Sequence, residues 1–154
     1  MRAVGEGILK GRKMPEDTIT LTDSPDPADV DVVKQGLDGY DASQGVVVDW
    51  VPLALFARDT NGTIVAGLTG STYWEYLYVG RLWTDERFRK LGLGSRLLAE
   101  AEEAARRRGC HAVHLMTGSF NALPFYQKRG YTVFGVLTDM PTGHTQYFMT
   151  KSLA

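Results

Sequence analysis

The chain has 154 residues and a formal net charge of -1, with acidic and basic residues interspersed along it. Hydrophobic residues make up 44% and charged residues 23%, which is typical of a globular domain and excludes a disordered tail or a strongly basic nucleic-acid-binding protein. Cys110 is the single cysteine, so the sequence excludes an intrachain disulfide and shows no zinc-binding cysteine cluster.

No apolar run in the sequence approaches the roughly 18 residues that a transmembrane helix needs. Residues 1–15 are polar and interrupted by glycines, so they do not resemble a signal peptide. We therefore expect a cytoplasmic protein without membrane or nucleic-acid partners. Residues 1–16 are predicted to form a loose lead-in, and residues 17–154 a single domain.

The first predicted elements are a short strand and a helix. Residues 18–22 alternate polar and apolar side chains, which indicates a strand. The aspartates and prolines of residues 23–27 suit the start of a helix, and apolar residues at 30–37 follow at helical spacing. We expect this helix to end near Tyr40, because two glycines weaken it.

Three strands are predicted next, at residues 53–58, 63–71 and 73–84. The first two are joined by Asp-Thr-Asn-Gly at 59–62, which is a hairpin signal. The third is a long aromatic and β-branched run, and Gly80 within it indicates a bulge or a close backbone approach.

The second half of the chain begins with an amphipathic helix. Its apolar face runs from Leu93 to Ala105, and Gly109 is a suitable ending residue. The remaining predicted elements are a strand at 111–116, a helix at 121–129, and strands at 131–137 and 146–150.

The turn that precedes this helix is the strongest functional signal. Helix amino termini carry unpaired N–H groups and partial positive charge, so they bind anions such as pyrophosphate. Gly92 and Gly94 lack a Cβ, which lets a ligand approach the backbone amides. The dinucleotide fingerprint and the P-loop do not fit, because the former needs a third spaced glycine and the latter Gly-Lys-Ser/Thr.

The turn resembles the acetyl-CoA signature Arg/Gln-x-x-Gly-x-Gly/Ala of the GNAT family of N-acetyltransferases, with Arg89, Gly92 and Gly94 at the matching positions. Residues 119–131 are similar to a later motif of that family, a helix that bears a tyrosine and closes with Gly-Phe/Tyr. The resemblance covers nearly the whole chain. It implies an α/β (α+β) fold with a mixed, mostly antiparallel twisted sheet flanked by helices.

In such a fold two neighbouring parallel strands, here 73–84 and 111–116, splay apart and hold acetyl-CoA as cosubstrate, with no metal. The resemblance implies that backbone groups of the splayed strand contact the pantetheine arm and that Ser119 or Asn121 hydrogen-bonds the cofactor. It assigns the arm to Leu82, Trp83 and Thr84, and the pyrophosphate to Arg89, Lys90, Leu91, Gly92, Leu93, Gly94 and Ser95.

Tyr126 is the candidate general acid that protonates the departing thiolate, although a buried aromatic residue on a short helix also suits the core. Several residues are candidates for the general base. Glu75 is one candidate, because a carboxylate among the aromatic residues of a strand would be partly desolvated. Where some family members carry a glutamate, this chain has Tyr78. Other candidates are Asp85, His114 and His144.

These features predict an N-acetyltransferase that moves an acetyl group from acetyl-CoA to a primary amine, most simply that of a small molecule. Two alternatives stay open: a non-catalytic acyl-CoA sensor that has lost its base, and an acetyltransferase for a protein amino terminus. Exposed sheet edges also allow a homodimer.

Overall fold

The computed structural model describes residues 19–47 and 49–154, in two compact units that divide between Tyr40 and Asp41. The predicted lead-in over residues 1–16 lies outside the described residues. Within them, no helix is long and apolar enough to cross a membrane.

Helix α1 (Pro27–Ser43) occupies most of the described part of the first unit. Asp26 begins it, because its carboxylate accepts a hydrogen bond from the backbone N–H of Ala28 at 2.9 Å. The helix runs three residues past its predicted end. The predicted strand at 18–22 is wrong over its described residues, 19–22, which form no strand. A five-residue alternation lacks the neighbouring strand that would hydrogen-bond its backbone.

The second unit is built on a six-stranded sheet in the order β1-β2-β3-β4-β6-β5. All neighbouring strands are antiparallel except β3 and β4, which are parallel. This confirms the mixed, mostly antiparallel sheet that the sequence predicts. The strands are β1 (Val51–Arg58), β2 (Ile64–Tyr73), β3 (Tyr76–Thr84), β4 (Ala112–Gly118), β5 (Thr132–Thr138) and β6 (Thr145–Ser152).

The predicted third strand at 73–84 is shorter than expected, because a two-residue turn separates β2 from β3. Trp74 and Glu75 form this turn with φ of 46° and 61°, the left-handed values of a type I′ hairpin. The sequence lacks the usual Asn-Gly signal, and the turn is held instead by a hydrogen bond from the Trp74 N–H to Asp49, at 2.9 Å. Gly80 is the bulge residue expected in this strand, since Gly70 pairs with Val79 and Thr69 with Arg81.

The parallel strands β3 and β4 separate partway along their length. Their paired register runs from Tyr76 opposite Ala112 to Val79 opposite Leu115 and then stops. Beyond that point β3 continues to Thr84, while β4 continues along β6 to Gly118. The two strands therefore splay apart, as expected, and a gap opens at the carboxyl ends of both.

Two helices complete the second unit, α2 (Leu93–Arg107) and α3 (Leu123–Gln127). Helix α2 packs on β1, β2 and β3 through the apolar stripe that its sequence predicts. Leu98, Ala101 and Ala105 of this stripe are buried with Leu77 of β3 and Val113 of β4. This packing fixes the amino terminus of α2 beside the gap.

A buried polar cluster ties α2 to the last strands. The Glu102 carboxylate is 5% exposed; it accepts a hydrogen bond from the Tyr131 hydroxyl at 2.8 Å and pairs with the Lys151 ammonium at 2.7 Å. Burial and the nearby Glu102 charge raise the pKa of Tyr131, so its hydroxyl remains a donor. Because both partners are satisfied by one carboxylate, the cluster depends on Glu102.

We expect Glu102→Ala to lower the free energy of unfolding by about 3 kcal/mol, because it leaves a partly buried ammonium without its partner. The estimate is at the low end for a buried pair, since Lys151 keeps 24% of its side chain exposed. Urea denaturation measures the change. Glu103→Ala is the matched control: Glu103 pairs with Arg106 and Arg107 at the surface, so its loss should change stability by less than about 0.5 kcal/mol.

Candidate active site

A cavity lies where β3 and β4 separate. Its volume of about 960 Å³ is near the upper end of the range for small-molecule sites. One side is formed by the end of β3, and the far end by the turn before α2. Met116 and Thr117 of β4 and the residues of α3 form the opposite side. The cavity is thus a channel that leads from a helix amino terminus into the sheet.

The amino terminus of α2 is suited to bind an anion. Gly92 precedes the helix in a left-handed conformation, φ 79°, and no described side chain caps the helix start. The first N–H groups of an α-helix have no acceptor within the helix, so those of Leu93, Gly94 and Ser95 are available to a ligand. The Gly92 carbonyl accepts only the Arg96 N–H, at 3.0 Å, as the first intrahelical bond.

Arg129 adds positive charge at the same end of the cavity. Its guanidinium hydrogen-bonds the Ser95 hydroxyl in the first turn of α2 and donates to the Phe125 carbonyl at 2.7 Å. It also lies 3.6 Å from the centre of the Phe125 ring, a cation–π arrangement. These contacts fix the guanidinium beside the open amides, and Arg89 and Lys90 line the cavity nearby.

Tyr126 lines the cavity and also belongs to the core. It is 7% exposed, lines the cavity, and packs its ring against Phe125 and Tyr131 at centroid distances of 5.1 and 5.6 Å. Burial raises the pKa of Tyr126 above its ordinary value of 10.0, so the hydroxyl keeps its proton at neutral pH. Tyr126 therefore fits both roles that the sequence suggests, that of a core residue and that of a proton donor.

Most of the predicted cofactor residues line this one cavity. Leu91 does not; its side chain is 67% exposed on the outside of the turn. The predicted residues that do line it are Leu82, Trp83, Thr84, Arg89, Lys90, Gly92, Leu93, Gly94, Ser95 and Asn121.

Ser119 and Asn121 have different surroundings. Asn121 lines the cavity. Ser119 instead joins β4 to the β5–β6 connection: its hydroxyl accepts the Thr145 N–H at 3.1 Å and lies 3.4 Å from Nδ1 of His144. The Ser119 hydroxyl is thus engaged in holding this connection in place.

Glu75 is not part of the cavity. The expectation that it lies within a strand and is partly desolvated is wrong, because it sits in the β2–β3 turn with 76% of its side chain exposed. Its nearest ionic partner is His111, at 3.7 Å, and it borders a separate cavity of about 180 Å³. β3 starts beside Glu75, and it lines the large cavity only from Val79 onward.

We expect Glu75→Gly to raise the free energy of unfolding by about 1 kcal/mol, because glycine adopts the positive φ of this turn without the steric cost of a Cβ. Acetyl transfer should stay within twofold of wild type, roughly the assay error. Urea denaturation and a turnover assay measure both effects. Glu75→Ala, which removes the carboxylate but keeps the Cβ, should leave stability and turnover unchanged; a large loss of turnover in either variant would restore Glu75 as a base candidate.

Two further base candidates are engaged elsewhere. Asp85 caps the short 3-10 helix Glu86–Phe88, and hydrogen bonds from Arg87 hold the pKa of its carboxyl below the ordinary value, which makes it a weaker proton acceptor. His144 contacts Ser119 and the ring of Phe120, at a centroid distance of 4.9 Å.

Among the lining residues to which the sequence assigns no role are Arg129, Phe125 and Met116, of which the first two lie within the 119–131 motif. The basic residues before Gly130 are typical of any helix carboxyl terminus, so only the packing of α3 beside α2 reveals their position. Side chains alternate along β4, so the sequence indicates that Met116 lies on the face opposite its buried neighbours. The separation of β3 and β4, which exposes Met116, is a tertiary feature that the sequence does not indicate.

Among residues 19–47 and 49–154, no group of three histidine, cysteine, aspartate or glutamate side chains is arranged to hold a metal ion.

A protein-family model described as the acetyltransferase (GNAT) family matches residues 29–131. The blasticidin-S acetyltransferase of Streptomyces morookaense is 40% identical over 101 residues, which cover 65% of this chain and 74% of that protein. An acetyltransferase of Agrobacterium fabrum is 30% identical over 131 residues, 85% of this chain and 96% of the relative. The crystal structure of an acetyltransferase from Bacillus cereus has a TM-score of 0.77 at 33% identity, covering 86% of this chain and 97% of that chain.

Proposed function

The chain belongs to the GNAT family of acetyltransferases, and we propose that it transfers the acetyl group of acetyl-CoA to a primary amine of a small molecule, in the cavity between β3 and β4. The observation that carries this proposal is the convergence of an uncapped helix amino terminus and a buried tyrosine on one channel. An anion site suits the pyrophosphate of CoA, and a proton donor suits the departing thiolate.

The donor site fits acetyl-CoA by its chemistry. The open amides of Leu93, Gly94 and Ser95 and the guanidinium of Arg129 suit a pyrophosphate, which has several acceptor oxygens and negative charge. Backbone groups of β3 beyond Val79 do not pair with β4, so they suit hydrogen bonding to the amide groups of a pantetheine arm. Asn121, which lines the same cavity, is the better candidate than Ser119 for a side-chain contact.

Tyr126 is proposed as the general acid. Proton transfer from a phenol of pKa about 10 to a thiol of pKa about 8.5 is uphill by roughly 2 kcal/mol in water. Burial raises the pKa of the Tyr126 hydroxyl, but the same burial disfavours a free thiolate, so the two shifts partly cancel. A hydrogen bond from the hydroxyl to the sulfur offsets what remains.

The acceptor is proposed to be a small molecule with an apolar or planar part. Trp83 and Met116 line the cavity and are 50% and 46% exposed. Exposed aromatic surface at a site is typical of ligand binding. A relative that is 40% identical is named for blasticidin S, which makes this compound the first acceptor to test.

Thiol release from acetyl-CoA tests the proposal. We expect turnover with at least one member of a panel that contains blasticidin S, aminoglycosides, polyamines, free amino acids and a peptide with a free amino terminus. Turnover with the peptide alone would favour the protein-acetylating alternative. Tight CoA binding without turnover on any amine would favour the sensor alternative and contradict the enzyme proposed here.

A further inference from the structure

We infer that His114 of β4 is the general base, the group that accepts the proton that the acceptor amine loses, with Tyr73 of β2 as its positioning residue. This inference rests on the proposed function. It is carried by the packing of aromatic side chains on the face of the sheet that is not covered by α2.

His114 lies at the point where the strands separate. It is opposite Tyr78 in the parallel register, one pair before the last pair, Val79 and Leu115. The two rings stack at a centroid distance of 5.1 Å with an interplanar angle of 30°. Tyr78 occupies the position where the family resemblance expects a glutamate in some members, so His114 is the nearest titratable neighbour of that position on β4.

Two contacts connect His114 to the cavity. The Tyr78 ring lies against the backbone at Gly80, where an added Cβ would be 3.3 Å from the ring, and Gly80 lines the cavity. Along β4, Met116 is two residues from His114, so both side chains are on the same face, and Met116 also lines the cavity. His114 is not itself a lining residue, and the imidazole neighbours the lining through Tyr78 and along β4.

The Tyr73 hydroxyl holds the imidazole in place. It lies 2.8 Å from Nε2 of His114, and the Tyr73 ring is itself fixed by stacking on Trp50, with centroids 4.2 Å apart. A base needs such an orienting partner, because one ring nitrogen must be kept ready for the incoming proton. Burial, and next the charge of Tyr78, raise the pKa of Tyr73, so this partner is a neutral hydroxyl.

The surroundings keep His114 unprotonated. Burial lowers the pKa of His114 below 6.5, so the imidazole is unprotonated at neutral pH. The titratable groups that face it are Tyr73 from β2 and Tyr76 and Tyr78 from β3, while its partner on β6 is Thr150. No charged side chain among the described residues is in ring or hydrogen-bond contact with it.

The proton balance is complete with these groups. His114 takes one proton at Nδ1 from the ammonium form of the acceptor, directly or through one water, while its Nε2–H donates to the Tyr73 oxygen. The freed amine nitrogen bonds to the acetyl carbon and the carbon–sulfur bond breaks. Tyr126 gives its proton to the sulfur, and its phenolate recovers one from the new amide nitrogen. The imidazolium finally releases its proton to water.

The test is the pH profile of kcat/KM for His114→Gln, with the amine that wild type acetylates. We expect kcat/KM at pH 7 to fall about 100-fold and the acid limb of the profile to disappear. The dissociation constant of CoA should stay within about twofold of wild type, since a base on the acceptor side leaves donor binding unchanged. His111→Gln, an exposed histidine just before β4, should keep the wild-type profile.

Tyr73→Phe keeps the ring and removes only the hydroxyl, so it tests the base even if His114→Gln fails to bind CoA. Because the imidazolium loses its acceptor, the acid limb should move to lower pH. An unchanged profile in either variant, or loss of the acid limb in His144→Gln instead, overturns the inference and leaves the proposed function standing. Absence of turnover by wild type on every amine contradicts the proposed function, and therefore also the assignment of His114 as its base.

Discussion

Tyr126→Phe is expected to lower kcat for acetyl transfer by about 100-fold, the usual contribution of a general acid. The phenyl ring keeps its packing against Phe125 and Tyr131, so the fold and the dissociation constant of CoA should stay close to those of wild type. Only the proposed proton donor is removed. Steady-state thiol release at saturating acetyl-CoA and amine measures the effect.

Tyr131→Phe is the matched control for this substitution. Tyr131 neighbours Tyr126, but its hydroxyl donates to the buried Glu102 carboxylate and does not reach the cavity lining. It should lose about 1 kcal/mol of stability and keep its kcat. A Tyr126→Phe enzyme with wild-type kcat would show that Tyr126 has a packing role alone.

Gly94→Asp is expected to raise the dissociation constant of CoA by about 100-fold. A carboxylate at the amino terminus of α2 would repel the pyrophosphate by about 3 kcal/mol, for charges about 5 Å apart in an effective dielectric of about 20, and each 1.4 kcal/mol is tenfold in affinity. The added Cβ makes only ordinary contacts, 3.6 Å to Phe125 and 3.7 Å to Thr84, so the variant should fold. Isothermal titration with CoA measures the affinity.

Gly94→Asn separates charge from size, because asparagine has the shape of aspartate without its charge. We expect the Asn variant to bind CoA much more tightly than the Asp variant, and the difference to shrink at high salt. Equal affinities for the two variants would mean that the anion does not bind at this helix terminus.

The parts of this protein that the sequence predicts well depend on local chemistry. The apolar stripe of α2, the Asp-Thr-Asn-Gly hairpin and the bulge at Gly80 each follow from residues close together in the chain. The glycines around Leu93 likewise act through the backbone of their own turn. The family resemblance that these glycines carry therefore predicts where the cavity lies.

The features that the sequence does not predict depend on distant partners. The turn at Trp74 and Glu75 has no local signal, since Asp49 and the carbonyl of Val47, which accepts the Trp74 indole N–H at 3.0 Å, hold it. Glu75 is a base candidate only if it lies within a strand, and the turn places it outside one. His114 gains its partner from β2, which is 41 residues away in the chain.

A crystal structure with bound CoA tests the central claim most directly. The pyrophosphate is expected at the amides of Leu93, Gly94 and Ser95, and the sulfur between β3 and β4 within about 3.5 Å of the Tyr126 hydroxyl. A sulfur atom that lies far from Tyr126, or a pyrophosphate bound away from the start of α2, would contradict the account.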